Sequence, residues 1–255
     1  MTSSYPVEMP ELALRRRHRN TAIPSIDDSP RLKLLPFVLS VIAGSLDVTG
    51  FLGLGGLFTA HITGNLVVLA AKLVAGEPAP LSYVIAVPVF MAMLMLTRLF
   101  VAGLDRFAVP SLVPLLSTQF LFLLLALGIC LGAGPRADPH TPELTLAGML
   151  AVSGMAVQNA LVRVSLSGAP STAVMTTNIS VFTMDVGAIW FGRNQADRAR
   201  ARVRARHTWP AIAGFLLGCA VGAACEPAFG LTALVIPALL SFGAIGFALT
   251  RRPPS

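Results

Sequence analysis

The chain is poor in charge. Only 12% of its 255 residues are Asp, Glu, Lys or Arg, against about 25% in a typical soluble domain. That scarcity excludes an ordinary water-soluble globule. Cysteine is scarce too: Cys130, Cys219 and Cys225 lie in apolar stretches, with no CxxC and no Cys/His ligand spacing. Neither a disulfide framework nor a metal site is expected, and the three read as small buried apolar residues. Catalytic signatures are also missing. There is no nucleophile elbow, HExxH, P-loop or dinucleotide glycine fingerprint. The expectation is a protein that is not an enzyme and holds no cofactor. ATP-driven work would require a separate ATPase.

What is present is apolar sequence. Hydrophobic residues make up 55% of the chain and mean hydropathy is +0.74. Apolar runs recur near the ~20 residues that a membrane helix needs. Backbone polar groups in lipid must be satisfied within a helix or a closed barrel. These runs are continuously apolar rather than alternating, so an all-α polytopic transmembrane bundle is expected.

The net charge is +7 and the pI about 10.3, a balance that elsewhere suggests nucleic acid. Its placement argues otherwise. Arg15, Arg16, Arg17 and Arg19 precede the first apolar run, and Arg198, Arg200, Arg202, Arg204 and Arg206 share one loop. This is the positive-inside pattern. No nucleic-acid partner is expected. The basic loop at 193–207 is read as a helical face lying on anionic lipid headgroups. Residues 1–33 are polar and contain Pro6, Pro10, Pro24 and Pro30; they read as a disordered cytoplasmic tail rather than a cleaved signal.

Eight apolar segments can be drawn, at 34–54, 57–76, 81–104, 111–133, 143–166, 171–192, 208–226 and 230–250. Eight crossings put the tail, the basic loop and Arg251-Arg252 on one side, both termini cytoplasmic. Six crossings do the same if 34–76 and 143–192 each cross once. Full hairpins are expected, since each segment alone is long enough to cross.

The transmembrane domain, 34–251, reads as two repeated halves, 34–133 and 143–250. "AGSLDVTGFL…FTAHITGNLVVLA" is echoed by "VSGMAVQNALV…STAVMTTNISVFT". Such duplication is a familiar transporter construction. Four crossings per half would make the repeats parallel; three would make them inverted. If each pair is a hairpin, Asp47 and Asn65 lie level, ~13 Å from the turn at Gly55-Gly56. Gln158, Asn159 and Asn178 then fall at the same depth. His61 would share the face of Asn65, one turn nearer the surface.

The stretches "AGSLDVTGFL", "LFTAHITGNLVVL" and "MAVQNALVRVSLSGAPSTAVMTTN" closely resemble the signatures of the YoaK-type family of bacterial integral membrane proteins, a domain of unknown function. The resemblance runs from about Leu34 to Arg251. It rests on Gly44-x-x-Asp47, Thr63-Gly64-Asn65, Gln158-Asn159-Ala160-x-x-Arg163 and Thr176-Thr177-Asn178. This chain has His61 where the family commonly has Asn, and Thr177 where a glycine would repeat the first motif. The resemblance implies a permease-like protein of the bacterial inner membrane with no established substrate.

Asp47 is the sharpest single feature. A carboxylate at bilayer depth costs ~2.5–3.5 kcal/mol on insertion scales and marks a functional site by default. The alternative is a carboxylate satisfied by Thr63, Asn65 or a cation, tying helices together. Arg163 could snorkel, pair with Asp47 or bind an anionic group. Asn65, Gln158, Asn159, Thr177 and Asn178 are either ligands of a small solute or interhelical glue worth ~0.6 kcal/mol each. His61 could titrate near neutral pH or exchange a proton with Asp47, or simply pack. Asp185 is expected to pair near Arg193. Gly214, Gly218 and Gly222, four apart, form a close-packing face within the bundle or at a homodimer contact.

Two functions compete on these residues. One is a small secondary transporter with a mid-membrane polar site. The other is a scaffold or sensor whose polar residues only lock the bundle.

Overall fold

The structure, a computed structural model, describes residues 30–249 apart from Ser167 and Ala173. The tail arginines and Arg251-Arg252 lie outside the described residues. The described chain forms α1 (Pro30–Gly53), α2 (Ile62–Ala75), α3 (Leu81–Arg106), α4 (Leu112–Ala133), α5 (Pro142–Ser165), α6 (Met175–Phe191), α7 (Gln195–Phe229), a 3-10 turn (Gly230–Leu234) and α8 (Val235–Leu249). There is no strand among the described residues.

The local chemistry of several boundaries is plain. Thr141 caps α5 by accepting from Leu144 N at 3.3 Å, and Pro142 takes the first helical position. Asn194 caps α7 by accepting from Ala196 N at 2.9 Å. Gly76 ends α2 in the left-handed conformation. The basic stretch at 193–207, expected to present a helical face, is helix from Gln195 onward and runs without a break into the apolar segment after it. Alternating Ala and Arg are both strong helix formers, and buried Ala201, Ala205 and Thr208 give this stretch a packing face.

The bundle is traversed six times, not eight. Tyr83 Oη, at the start of α3, donates to Gly55 O at 2.7 Å, just past the end of α1. A helix that begins where α1 ends leaves no room for a crossing by the segment between. That segment dips into the bundle at 54–61 and comes back out as α2. α2 has 14 residues, ~21 Å at 1.5 Å per residue, short of the ~30 Å hydrocarbon core. The start of α5 is at this same end, where Gly55 adjoins Pro139 and His140. So is the end of α7, through Leu231 N donating to Pro135 O at 2.9 Å. At the opposite, basic end, Ser111 Oγ and Ser165 Oγ lie 2.8 Å apart. There His207 Nε2 donates to Gly168 O at 2.8 Å. After α5 reaches this end, the chain turns inward again and returns as α6.

Each half thus crosses three times, and the halves run in opposite directions. The packing follows the exchange of α1–α4 with α5–α8. α1 packs on α7 as α5 packs on α3; α2 on α3 as α6 on α7; α4 on α5 as α8 on α1. α1 with α5, and α4 with α8, meet across the pseudo-twofold axis. The repeats are inverted.

α1 and α7 run parallel at close range. A Cβ on Gly214, Gly218 or Gly222 would meet the carbonyl oxygen of Phe37, Val41 or Ser45 at 2.5, 2.3 or 2.9 Å. On the other side, a Cβ on Gly44 would lie 2.3 Å from Phe215 O. The three-glycine face is therefore spent inside the bundle rather than on a second copy. Dispersion and close backbone approach, which lipid cannot supply, hold these helices together.

Candidate functional site

Asp47 lies on α1, six residues before its end, and is 4% exposed. Gly55 and Gly56, both at positive φ, turn the chain back toward it. Its Oδ1 accepts from Thr59 N at 2.8 Å, Thr59 Oγ1 at 3.1 Å and Ala60 N at 2.6 Å. Its Oδ2 is 2.5 Å from His61 Nδ1. A carboxylate deep in an apolar bundle is tolerated only when its lone pairs are filled in this way. The imidazole rests edge-on against Phe215 of α7, with centroids 5.0 Å apart. Its side chain keeps 31% exposure, against 5% for Asp47.

Asn65, in the first turn of α2, holds the same segment from the other side. Its Nδ2 donates to Phe58 O at 2.8 Å and its Oδ1 accepts from Phe58 N at 2.9 Å. Asp47 and Asn65 therefore grip the unwound segment rather than each other. His61 precedes α2 instead of lying on its face. Because α2 begins deep and runs outward, His61 is deeper than Asn65, the reverse of the hairpin expectation. Gly64 makes room for the Phe58 ring, which would lie 2.8 Å from a Cβ there.

The second half repeats the device. Asn178 Nδ2 donates to Ser171 O at 2.6 Å, again seven residues back. Gln158 Nε2 donates to Thr172 Oγ1 and to Leu39 O, both at 3.0 Å. Gln158 Oε1 accepts from Gln119 Nε2 on α4 at 2.7 Å. Thr172 and Asn178 follow Thr59 and Asn65 by the same interval, 172 − 59 = 178 − 65 = 113. Gln158 occupies the role of Asp47, and Val174 stands where His61 would be.

The two devices are not at one depth. Gln158 is level with Leu39, eight residues below Asp47 on α1, which is ~12 Å at 1.5 Å per residue. Inversion places one polar cluster on each side of the middle; parallel hairpins would have merged them. Ser40 Oγ, Thr49 Oγ1, Gln119 Oε1 and Ser241 Oγ are buried without a hydrogen-bond partner.

The remaining sequence candidates fall elsewhere. Thr63 and Thr177 are exposed on the outer faces of α2 and α6, and Asn159 is half-buried. Arg163 is exposed in the last turn of α5 and makes no bond to Asp47. Asp185 pairs not near Arg193 but with Arg204 of α7, whose Nε donates to Oδ1 at 3.0 Å. Thr59, Thr172 and Gln119 were not singled out from sequence. The recurring Ser/Phe-Thr-Ala before each short helix was the available signal.

α2 is also pinned at its outer end. Lys72 Nζ donates to Glu77 Oε2 at 2.8 Å. That bond, with the lysine's charge, holds the Glu77 carboxyl below the usual range. A cavity of about 700 Å³ opens here, edged by Lys72, Glu77 and His140. Leu146 and Met149 line it, and Gly148 between them adjoins Leu57 of the unwound segment. Among the described residues no cluster of His, Cys, Asp and Glu suits a metal ion.

Long apolar helices, an inverted repeat and two broken segments tied by buried polar groups define a multi-pass helical membrane protein. Within that class, the chain belongs to the family described as a protein of unknown function, DUF1275, whose model matches residues 35–247. The YoaK-type resemblance is consistent with this. No curated protein and no solved structure matches the chain.

Proposed function

We propose that this protein is a small secondary transporter of the bacterial inner membrane, with both termini cytoplasmic. The observation that carries the reading is the inverted repeat with a broken, re-entrant segment in each half. That arrangement lets one half rock against the other around a central site. The solute is small and polar. Ser40, Gln119 and Ser241 offer it unpartnered oxygens in the middle of the bundle, and Asp47 with Thr59 and Gln158 with Thr172 guard the two approaches. The 700 Å³ cavity between the end of α2, the start of α3 and α5 is the vestibule at the non-cytoplasmic end. The arginine-rich start of α7 faces anionic lipid headgroups, which fixes its end inside.

The test is a thermal-shift screen of small polar solutes on purified protein, followed by flux into proteoliposomes. A solute that raises the melting temperature of the native protein, loses that effect with Gln119→Leu and is carried across the bilayer supports the reading. A native protein that neither shifts with any solute nor carries one sinks it.

A scaffold reading has one observation in its favour: Asn65 and Asn178 spend their amides on backbone a few residues away. It predicts a phenotype that follows the surface arginines of α7 and ignores Gln119.

A further inference from the structure

The two gates are built alike but differ in one chemical respect. In the first half the segment is held by a carboxylate touching an imidazole. In the second, Gln158 and Val174 stand in those places, and neither can take up a proton. We propose that the coupling ion is a proton, bound at the Asp47–His61 pair, and that only the first gate responds to it. This rests on the transport reading and deepens it.

The geometry supplies the route. His61 is the partly exposed member and Asp47 the buried one. An incoming proton adds to Nε2 of the imidazole. The Nδ1 proton then passes along the 2.5 Å contact to Asp47 Oδ2. The products are a neutral imidazole and a neutral carboxylic acid, with one proton gained and no other bond changed. The carboxylate's hold on Thr59 N, Thr59 Oγ1 and Ala60 N depends on its charge. Neutralised, it holds the segment less tightly, and Leu57, which packs on Gly148 of α5, is freed to move. Asn65 remains as a hinge on Phe58.

Few other groups compete for this proton: the nearest other imidazole, His140, adjoins Gly55 at the mouth of the segment rather than Asp47. On α7, Cys219 lies within electrostatic reach of Asp47. Also on α7, Glu226 adjoins Gly53, six residues nearer the end of α1. Lys72 is ten residues beyond Ile62 on α2 and is paired with Glu77. Asp105 and Arg106 end α3 at the opposite, basic end. Among the described residues of α5 and α8, no charged side chain is placed at this depth.

Hydrogen exchange at the Phe58, Thr59 and Ala60 amides tests the proposal without a known solute. Purified protein in lipid nanodiscs is compared at about pH 8 and about pH 5, either side of the ordinary imidazole range. Rates are corrected for intrinsic exchange. Protection at Thr59 and Ala60 should fall about tenfold toward low pH as charge-assisted bonds become neutral ones. The amide of Asn178, which donates to Val174 O, should not change. Asp47→Asn should show the low protection at every pH, and His61→Val should abolish most of the response. Unchanged protection in the native protein overturns the proposal, whether or not either variant folds. So does an undiminished response in Asp47→Asn. A response without solute flux keeps the proton gate and removes the transport reading; flux without a response does the reverse.

Discussion

Asn65 and Asn178 make the same bond 113 residues apart. Each amide reaches back seven residues to a carbonyl, Phe58 O at 2.8 Å and Ser171 O at 2.6 Å, at the start of a helix that begins inside the bundle. A helix N-terminus inside an apolar bundle leaves backbone groups without water. An asparagine four positions into the helix supplies what water would. The equivalence is chemical, and it relates elements that run in opposite directions.

Asn65→Ala strips Phe58 of both its partners. A loss of about 1–3 kcal/mol is expected, the cost of leaving buried polar groups unpaired. Asn178→Ala should cost a similar amount. The two sites share no partner, so the double variant should sum the single losses. Denaturant titration in detergent measures all three.

Asp47→Asn keeps an acceptor for the Thr59 and Ala60 amides but removes the charge. The protein should insert and fold with a lower melting temperature, and solute flux in proteoliposomes should vanish. Full flux from this variant would remove Asp47 from the transport route.

Gly218→Ala pushes a methyl group to 2.3 Å from Val41 O and 2.8 Å from Ser45 N. Backbone cannot yield as a side chain tip can. Overpacking of this kind costs about 1–3 kcal/mol, seen as a lower melting temperature. Gly243→Ala, on α8 with no heavy atom within 4 Å of the new carbon, should be neutral or better.

Arg204 and Arg200 lie one turn apart and differ in their partners. Arg204 bonds the buried Asp185 of α6, whereas Arg200 pairs with the exposed Asp197. Arg204→Gln strands a buried carboxylate; Arg200→Gln does not. Thermal unfolding should separate them clearly, with the first variant the less stable.

Gln119→Leu removes one unpartnered oxygen and the donor to Gln158 Oε1. A loss of about 1–3 kcal/mol is expected, because the buried Gln158 Oε1 is left without its donor. Any solute that stabilises the native protein should stabilise this variant less.

Much of this was legible from the residues. Apolar runs fixed a helical membrane bundle because lipid leaves the backbone no other partner. The echo of "FTAHITGN" in "STAVMTTN" was the signal for two halves. Depth and direction were not legible. Ile62–Ala75 and Met175–Phe191 lie in segments of membrane-spanning length, and length cannot tell a crossing from a return. Charge could not decide either, since six and eight crossings leave the same arginines on the same side.

Composition and motif by themselves determined the solvent, the element type and the duplication, all properties carried by single residues and their spacing. Tertiary structure decided that the halves are inverted and that Asp47 grips a broken segment instead of meeting Asn65. It also decided that the acid has an imidazole beside it in one half alone. These follow from which backbone groups are left unpaired when a helix starts in the middle of a bundle. Only the packing of α3 against α2 and α5, and of α7 against α6 and α1, sets where those starts lie.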